Sequence, residues 1–388
     1  MCYNSMNNNV LDEKKGNSGL VVDIVTVNFF DWDGDKMYKG GAERYVYDLA
    51  CLFRGMGHKV CIVQCSNRPF KKTYRGIDVI GTGFGNREDV ESNSKKFADY
   101  CSSADLVIVS PLELACEMKG MLVIGINHGV GFDGDWNVYP AKYKSSYDVY
   151  MHALENVKCC VCVDTNFINW TRTISYELSL KECYIPNYYD EKIFFGRKRR
   201  WHKDKKVRFI YPRRICEARG YDLAIEATEQ LLPCYSEKLQ IDFIGQIDEP
   251  DVKERMDSFI QKYPDNVRLR EYNMEEMGQA YEGADVSLIP TKFSEGTSLS
   301  CIESMASGVA VIATNVGGLP NLVIDRFNGL MVSPDAKEIA DAMRVLIDDA
   351  KLRKTMGRNG SVVAKIAFSK RKWEDGWKKV IEKSISGF

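Results

Sequence analysis

The chain has 388 residues, of which 45% are apolar, 11% aromatic and 28% charged, and its 53 Lys and Arg against 54 Asp and Glu leave a formal net charge of −1. That composition excludes a disordered chain and gives no overall electrostatic reason to bind nucleic acid. A single core would be unusually large at this length, so two domains are expected.

Residues 1–19 are polar and Asn-rich with no apolar stretch, so a secretory leader is not expected, and no run of 18 apolar residues reads as a membrane span. From residue 20, short β-branched runs alternate with amphipathic stretches. Residues 20–27 read as a strand, 42–54 as a helix and 59–64 as a strand. Mostly continuous apolar runs follow at 106–110, 122–126 and 159–163. The alternation breaks at 196–208, where eight Lys or Arg accompany one Asp. This segment reads as a solvated linker, or as a patch that attracts anionic substrate or lipid headgroups. Strand-like runs resume at 207–211, 239–244, 267–269, 286–289, 309–313 and 329–332. Apolar runs of this kind are buried on both faces, as in parallel sheets covered by helices. The expected domains are 20–195 and 196–370, with a C-terminal helix over 371–388.

The 13 cysteines recur at no zinc-site spacing, so reduced thiols and a cytoplasmic location are expected. On that expectation the Asn169/Thr171 and Asn359/Ser361 glycosylation patterns carry no weight.

The strongest chemical signal lies just after the run 286–289. Glu295 sits in a loop and Glu303 eight residues on, one helix in, with Gly296, Thr297, Ser298 and Leu299 between them. Small residues let backbone N–H groups at a helix start approach a ligand, and such a turn binds phosphate through its unsatisfied donors and the helix dipole. A carboxylate on each side can accept hydrogen bonds from sugar and ribose hydroxyls. A capped helix with a solvated glutamate is the bland alternative. Ala306-Ser307-Gly308, Gly317-Gly318-Leu319-Pro320 and Asn328-Gly329-Leu330 follow.

With these blocks the sequence resembles the retaining nucleotide-sugar glycosyltransferases of family 4, which have the GT-B fold. Gly40-Gly41-Ala42-Glu43-Arg44, Gly57-His58 and Pro186-Asn187 with Asp190 and Phe194 extend the resemblance over nearly the whole chain. It implies an α/β protein of two Rossmann-like domains facing across a cleft, the second holding the donor. It implies transfer of a hexosyl-type sugar from a nucleotide diphosphate sugar, UDP- or GDP-linked first, to a hydroxyl acceptor such as a glycan or a lipid-linked saccharide. Configuration would be retained, with no metal and no other cofactor. Gly40 and Gly41 would meet donor phosphate or acceptor. Arg214 and Arg219 would be the paired cations on the diphosphate, although Pro212-Arg213 stands where a glycine is usual and Arg219 where a lysine is. His128, just past a strand end, would lie near the donor sugar. Backbone groups around Tyr272, Asn273 and Met274 would meet the base. Glu295 would join His128, Arg214 and Arg219 as the catalytic set.

Other motifs are set aside. Asp31/Asp33 and Asp133/Asp135 contain the paired aspartates of metal-dependent transferases, but Lys36 and Ala42 do not fit a calcium loop. Gly81 and Gly83 begin a dinucleotide fingerprint, but Asn86 stands where its third glycine would be. Two rival readings stay open: a nucleotide-sugar 2-epimerase of the same architecture, and a non-catalytic nucleotide-binding module. In the tail, Trp373, Trp377, Val380 and Ile381 recur at helical spacing among Lys372, Lys378, Lys379 and Lys383. That helix is expected to pack back on the first domain, with peripheral membrane contact as the competing reading.

Overall fold

The apolar runs form two sheets in the computed structural model, which describes residues 19–38, 40–86, 89–131, 139–195, 206–293 and 295–386, with 139–145 and 274 as backbone only. The first sheet comprises β1 (Val21–Thr26), β2 (Lys59–Gln64), β3 (Pro69–Tyr74), β4 (Ile77–Thr82), β5 (Leu106–Ser110), β6 (Val123–Asn127), β7 (Cys159–Cys162) and β8 (Glu182–Tyr184). Its strand order is β3-β4-β2-β1-β5-β6-β7-β8. β1 pairs in parallel with β2 and β5, placing Ile24 opposite Ile62 and Ile108, whereas β3 and β4 form an antiparallel hairpin.

The second sheet comprises β9 (Val207–Tyr211), β10 (Leu239–Ile244), β11 (Val267–Arg270), β12 (Val286–Ile289), β13 (Ala310–Thr314) and β14 (Gly329–Val332), in the order β11-β10-β9-β12-β13-β14. Its pairings are parallel. Helices cover both faces, and the two-residue period of the strands divides the core accordingly. Phe209, Tyr211 and Phe243 pack with Leu223, Met343 and Leu346 on one side. Ile210, Ile244 and Ile289 pack with Ile302, Met305 and Tyr281 on the other.

The hairpin β3–β4 and the edge strand β8 have no counterpart in the sequence reading. β3 carries Lys71 and Lys72 and alternates between exposed and half-buried positions, the usual protection of an edge strand, so its apolar signal is weak. β8 has three residues.

Contacts divide the chain into two units, which differ from a single cut at 195/196. The first runs to Ile126 and includes Asp148–Cys160; the second holds Asn127–Tyr147 and everything from Val161 onward. The C-terminal helix Lys370–Ile385 buries Trp373, Trp377 and Ile381. Trp373 stacks at 4.5 Å on Tyr188, and the Tyr189 N–H donates to Phe368 O at 3.1 Å. These partners fall inside the expected 20–195 domain by number, but contacts group them with the second unit. The tail tryptophans are therefore covered by the protein itself. Among the described residues no helix is long and apolar enough to cross a membrane.

The Asp31 carboxylate is engaged by its own turn, accepting from the backbone N–H groups of Asp35 at 2.7 Å and Lys36 at 2.9 Å. Asp133, Asp135 and most of the basic segment, 196–205, lie outside the described residues.

Candidate functional site

β9 and β12 are neighbours where the strand order of the second sheet reverses, and in an open α/β sheet the carboxyl ends of such strands frame a ligand crevice. The loop after β9 is shaped by Tyr211, whose hydroxyl donates to Arg214 O and Arg219 O at 3.0 Å each. Lys292, after β12, ties the two loops together. Its N–H donates to Ala218 O at 3.1 Å, and its ammonium lies 3.0 Å from Asp222 and 3.1 Å from Glu217.

Glu295 is buried where these loops meet. Its Oε2 accepts from Arg213 Nη2 at 2.5 Å, Thr291 Oγ1 at 2.8 Å and Arg219 Nη1 at 3.1 Å. Arg213 Nη1 also donates to Thr291 Oγ1 at 2.6 Å. Burial pushes the Glu295 carboxyl up, but the guanidiniums of Arg213 and Arg219 and the hydrogen bonds outweigh it and hold the group below its ordinary range. The carboxylate is thus ionised at neutral pH. Two cations thus converge on one carboxylate oxygen.

This arrangement differs from the expected pairing of Arg214 with Arg219. Beyond β9 the chain runs beside the end of β10, with the Ile215 N–H on Gln246 O at 2.9 Å, and neighbouring side chains of an extended segment project to opposite sides. The Arg213 side chain is 6% exposed against Glu295; that of Arg214 is 66% exposed, 3.9 Å from Asp248. Arg213 and Thr291 are the members that sequence reasoning missed.

Two glycines explain why the motif blocks occur together. A Cβ on Gly296 would sit 2.2 Å from His128 O, so the loop carrying Glu295 can lie against the His128 backbone only without a side chain. Gly317 has φ +54°, and a Cβ there would meet Glu295 O at 2.1 Å. The Gly318 N–H then donates to that same oxygen at 2.9 Å. His128 is brought to this loop, and burial pushes its imidazole down to about 4. It is neutral at pH 7.

Beyond Gly296, the Thr297 hydroxyl donates to Val163 O, and Asn187 Nδ2 donates to Thr297 O at 2.7 Å. Ser298 opens the helix Leu299–Ala306 without a side-chain cap, its Oγ lying 3.2 Å from Ser300 Oγ. Glu303 is buried inside this helix, and the Tyr281 hydroxyl donates to its Oε2 at 3.3 Å. Asn273 folds onto Glu276, its N–H reaching Oε2 at 3.2 Å, while Tyr272 is half-buried and only the backbone of Met274 is described. Gly40 and Gly41 belong to the first unit, where Gly40 opens the helix Gly41–Gly55 in extended conformation, again without a side-chain cap.

Residues 194–362 match the family described as "Glycosyl transferases group 1". An uncharacterized glycosyltransferase of Methanocaldococcus jannaschii is 40% identical over 96 residues, 24% of this chain and 27% of that protein. The chain thus spans about a quarter of the length of that curated relative. Sucrose-phosphate synthase from Thermosynechococcus elongatus is similar in structure, with a TM-score of 0.75 at 18% identity over 95% of this chain and 99% of that one. The Anabaena protein HepE in complex with UDP gives a TM-score of 0.71 at 14% identity over 94% of this chain and 100% of that one. The chain therefore has the two-domain α/β GT-B-like fold, and its residues 194–362 carry the match to the group 1 glycosyl transferases.

Proposed function

We propose that the protein is a retaining hexosyltransferase that moves a sugar from a nucleotide diphosphate sugar to a hydroxyl acceptor without a metal ion. The observation that carries this reading is the cluster of Arg213, Arg219 and Thr291 on buried Glu295, at the strand-order reversal of the matched domain. Cleavage of the donor leaves an additional negative charge on the nucleoside diphosphate. Arg213 and Arg219 would stabilise that charge together with the N–H groups opening the helix Leu299–Ala306, with Arg214 approaching from the solvent side. Glu295 and Glu303 would accept hydrogen bonds from donor hydroxyls, and neutral His128 would sit by the sugar. In the retaining step the bond from the anomeric carbon to phosphate oxygen breaks and a bond to the acceptor oxygen forms on the same face. The acceptor's proton passes to the departing phosphate. Gly40 and Gly41 would serve donor phosphate or acceptor, and the backbone at Tyr272, Asn273 and Met274 the base. The UDP bound by HepE supports a uridine donor.

Thermal unfolding with a panel of UDP-, GDP- and ADP-sugars tests the donor class, since a ligand bound only by the folded state raises its stability. One donor should stabilise the chain and release its nucleoside diphosphate only with a hydroxyl acceptor present. Conversion of the donor into an isomeric nucleotide sugar without acceptor would replace this reading by the epimerase. Stabilisation without turnover on any acceptor or water would replace it by a binding module.

A further inference from the structure

The helix Ala350–Ala367 carries five cations, Lys351, Arg353, Lys354, Arg358 and Lys365, and no Asp or Glu. Arg353 turns inward, 11% exposed and 3.9 Å from Asp285, while Lys351, Arg358 and Lys365 recur every seven residues on the exposed side. The adjoining stripe is apolar: Val362 is 53% exposed and Ile366 62%. One turn before Val362, Asn359 Nδ2 donates to Phe327 O at 2.9 Å and sets the turn before β14 beside this stripe. That turn adds Ile324, 61% exposed, and Phe327, 47% exposed, with Arg326 and Asp325 between them. The carboxylate nearest along the helix, Asp349, caps its start by accepting from the Leu352 N–H at 2.8 Å.

We propose that this face docks on an anionic lipid bilayer, the four apolar side chains entering the headgroup boundary and the cationic stripe facing the lipid charge. Scattered single apolar residues on a surface need no explanation, but four together beside a helix without carboxylates form a patch complementary to a negatively charged apolar boundary. The tail tryptophans are buried and take no part in this patch, and the inference does not depend on the catalytic reading.

Co-sedimentation of the full chain with vesicles of phosphatidylcholine, alone or mixed with phosphatidylglycerol, tests it. Binding should require phosphatidylglycerol and weaken with salt. Each cation near an anionic surface contributes about fivefold in partitioning, so Arg358→Ala with Lys365→Ala should weaken binding about 25-fold. Phe327→Ser with Ile366→Ser should weaken it at low salt as well, with thermal unfolding unchanged. Equal binding to both vesicle types, or binding that survives both double variants, would overturn the proposal. So would a dimer in solution that the same variants dissociate, because a second copy would then cover the face.

Discussion

Arg213, rather than its neighbour Arg214, holds the Glu295 carboxylate, with Nη2 2.5 Å from Oε2 and both side chains buried. Arg213→Ala leaves a buried carboxylate with one counter-charge fewer. Removing one partner of a buried pair costs about 3–5 kcal/mol, and losing one preorganised charge contact lowers turnover by roughly a hundredfold. Arg214→Ala should stay within about 0.5 kcal/mol of the parent in stability, as surface substitutions do. Denaturant unfolding and turnover of both variants check this, and a larger loss from Arg214→Ala than from Arg213→Ala would reverse the assignment.

The His128 imidazole, pushed down from 6.5 to about 4 by burial, links stability to acidity. Between those values the unfolded chain binds the proton and the folded chain does not. Its contribution is therefore complete above pH 6.5 and lost as pH falls toward 4. Glu295, held below its ordinary range, loses its contribution in the same direction as acid protonates it. As pH falls from 7.5 to 4.5, denaturant midpoints should accordingly drop less steeply for His128→Gln than for the parent. A His128 resonance titrating near its ordinary value would contradict this.

Gly296→Ala places a methyl group 2.2 Å from His128 O, which is backbone and cannot swing aside. Overpacking of this kind costs about 1–3 kcal/mol, and the displaced Glu295 should lose donor binding too. Calorimetry with the donor found in the panel should show weaker binding for Gly296→Ala than for Gly360→Ala, whose Cβ would have 3.4 Å to Met305. Equal affinity in the two variants would sink this account of the loop.

Truncation after Phe368 removes Trp373 and Trp377, both buried and Trp373 stacked on Tyr188. Large-to-small changes at such sites cost about 3–5 kcal/mol, so even Trp377→Ala should lower the unfolding midpoint clearly in lipid-free solution. An unchanged midpoint would show that the helix does not stabilise the fold.

Much of this was legible in the sequence, for physical reasons. Six short strand-like runs after residue 206, interrupted by Arg208, Gln240, Asp242, Arg268 and Ser287, specify a mostly buried sheet, and β9, β10, β12 and β14 begin and end where the runs do. Glu295, Gly296 and the Gly317-Gly318 pair are joined in the sequence by the family resemblance, and the close approach of their backbones, which tolerates only glycine, is the structural reason that they occur together. The direction of adjacent side chains could not be read. Arg213 and Arg214 are identical in type, and which one faces inward is set by how the loop leaves β9 beside β10. Thr291 carried no signal, since its role depends on Glu295 folding back across four residues. The edge strand β3 was hidden by the lysines that protect it.

The most direct test of the central claim is release of nucleoside diphosphate from the stabilising nucleotide sugar, measured with and without a hydroxyl acceptor for the parent and for Glu295→Ala. Acceptor-dependent release by the parent, reduced roughly a hundredfold in a folded Glu295→Ala, is the predicted result. Release indifferent to acceptor, or a Glu295→Ala variant as active as the parent, would contradict it.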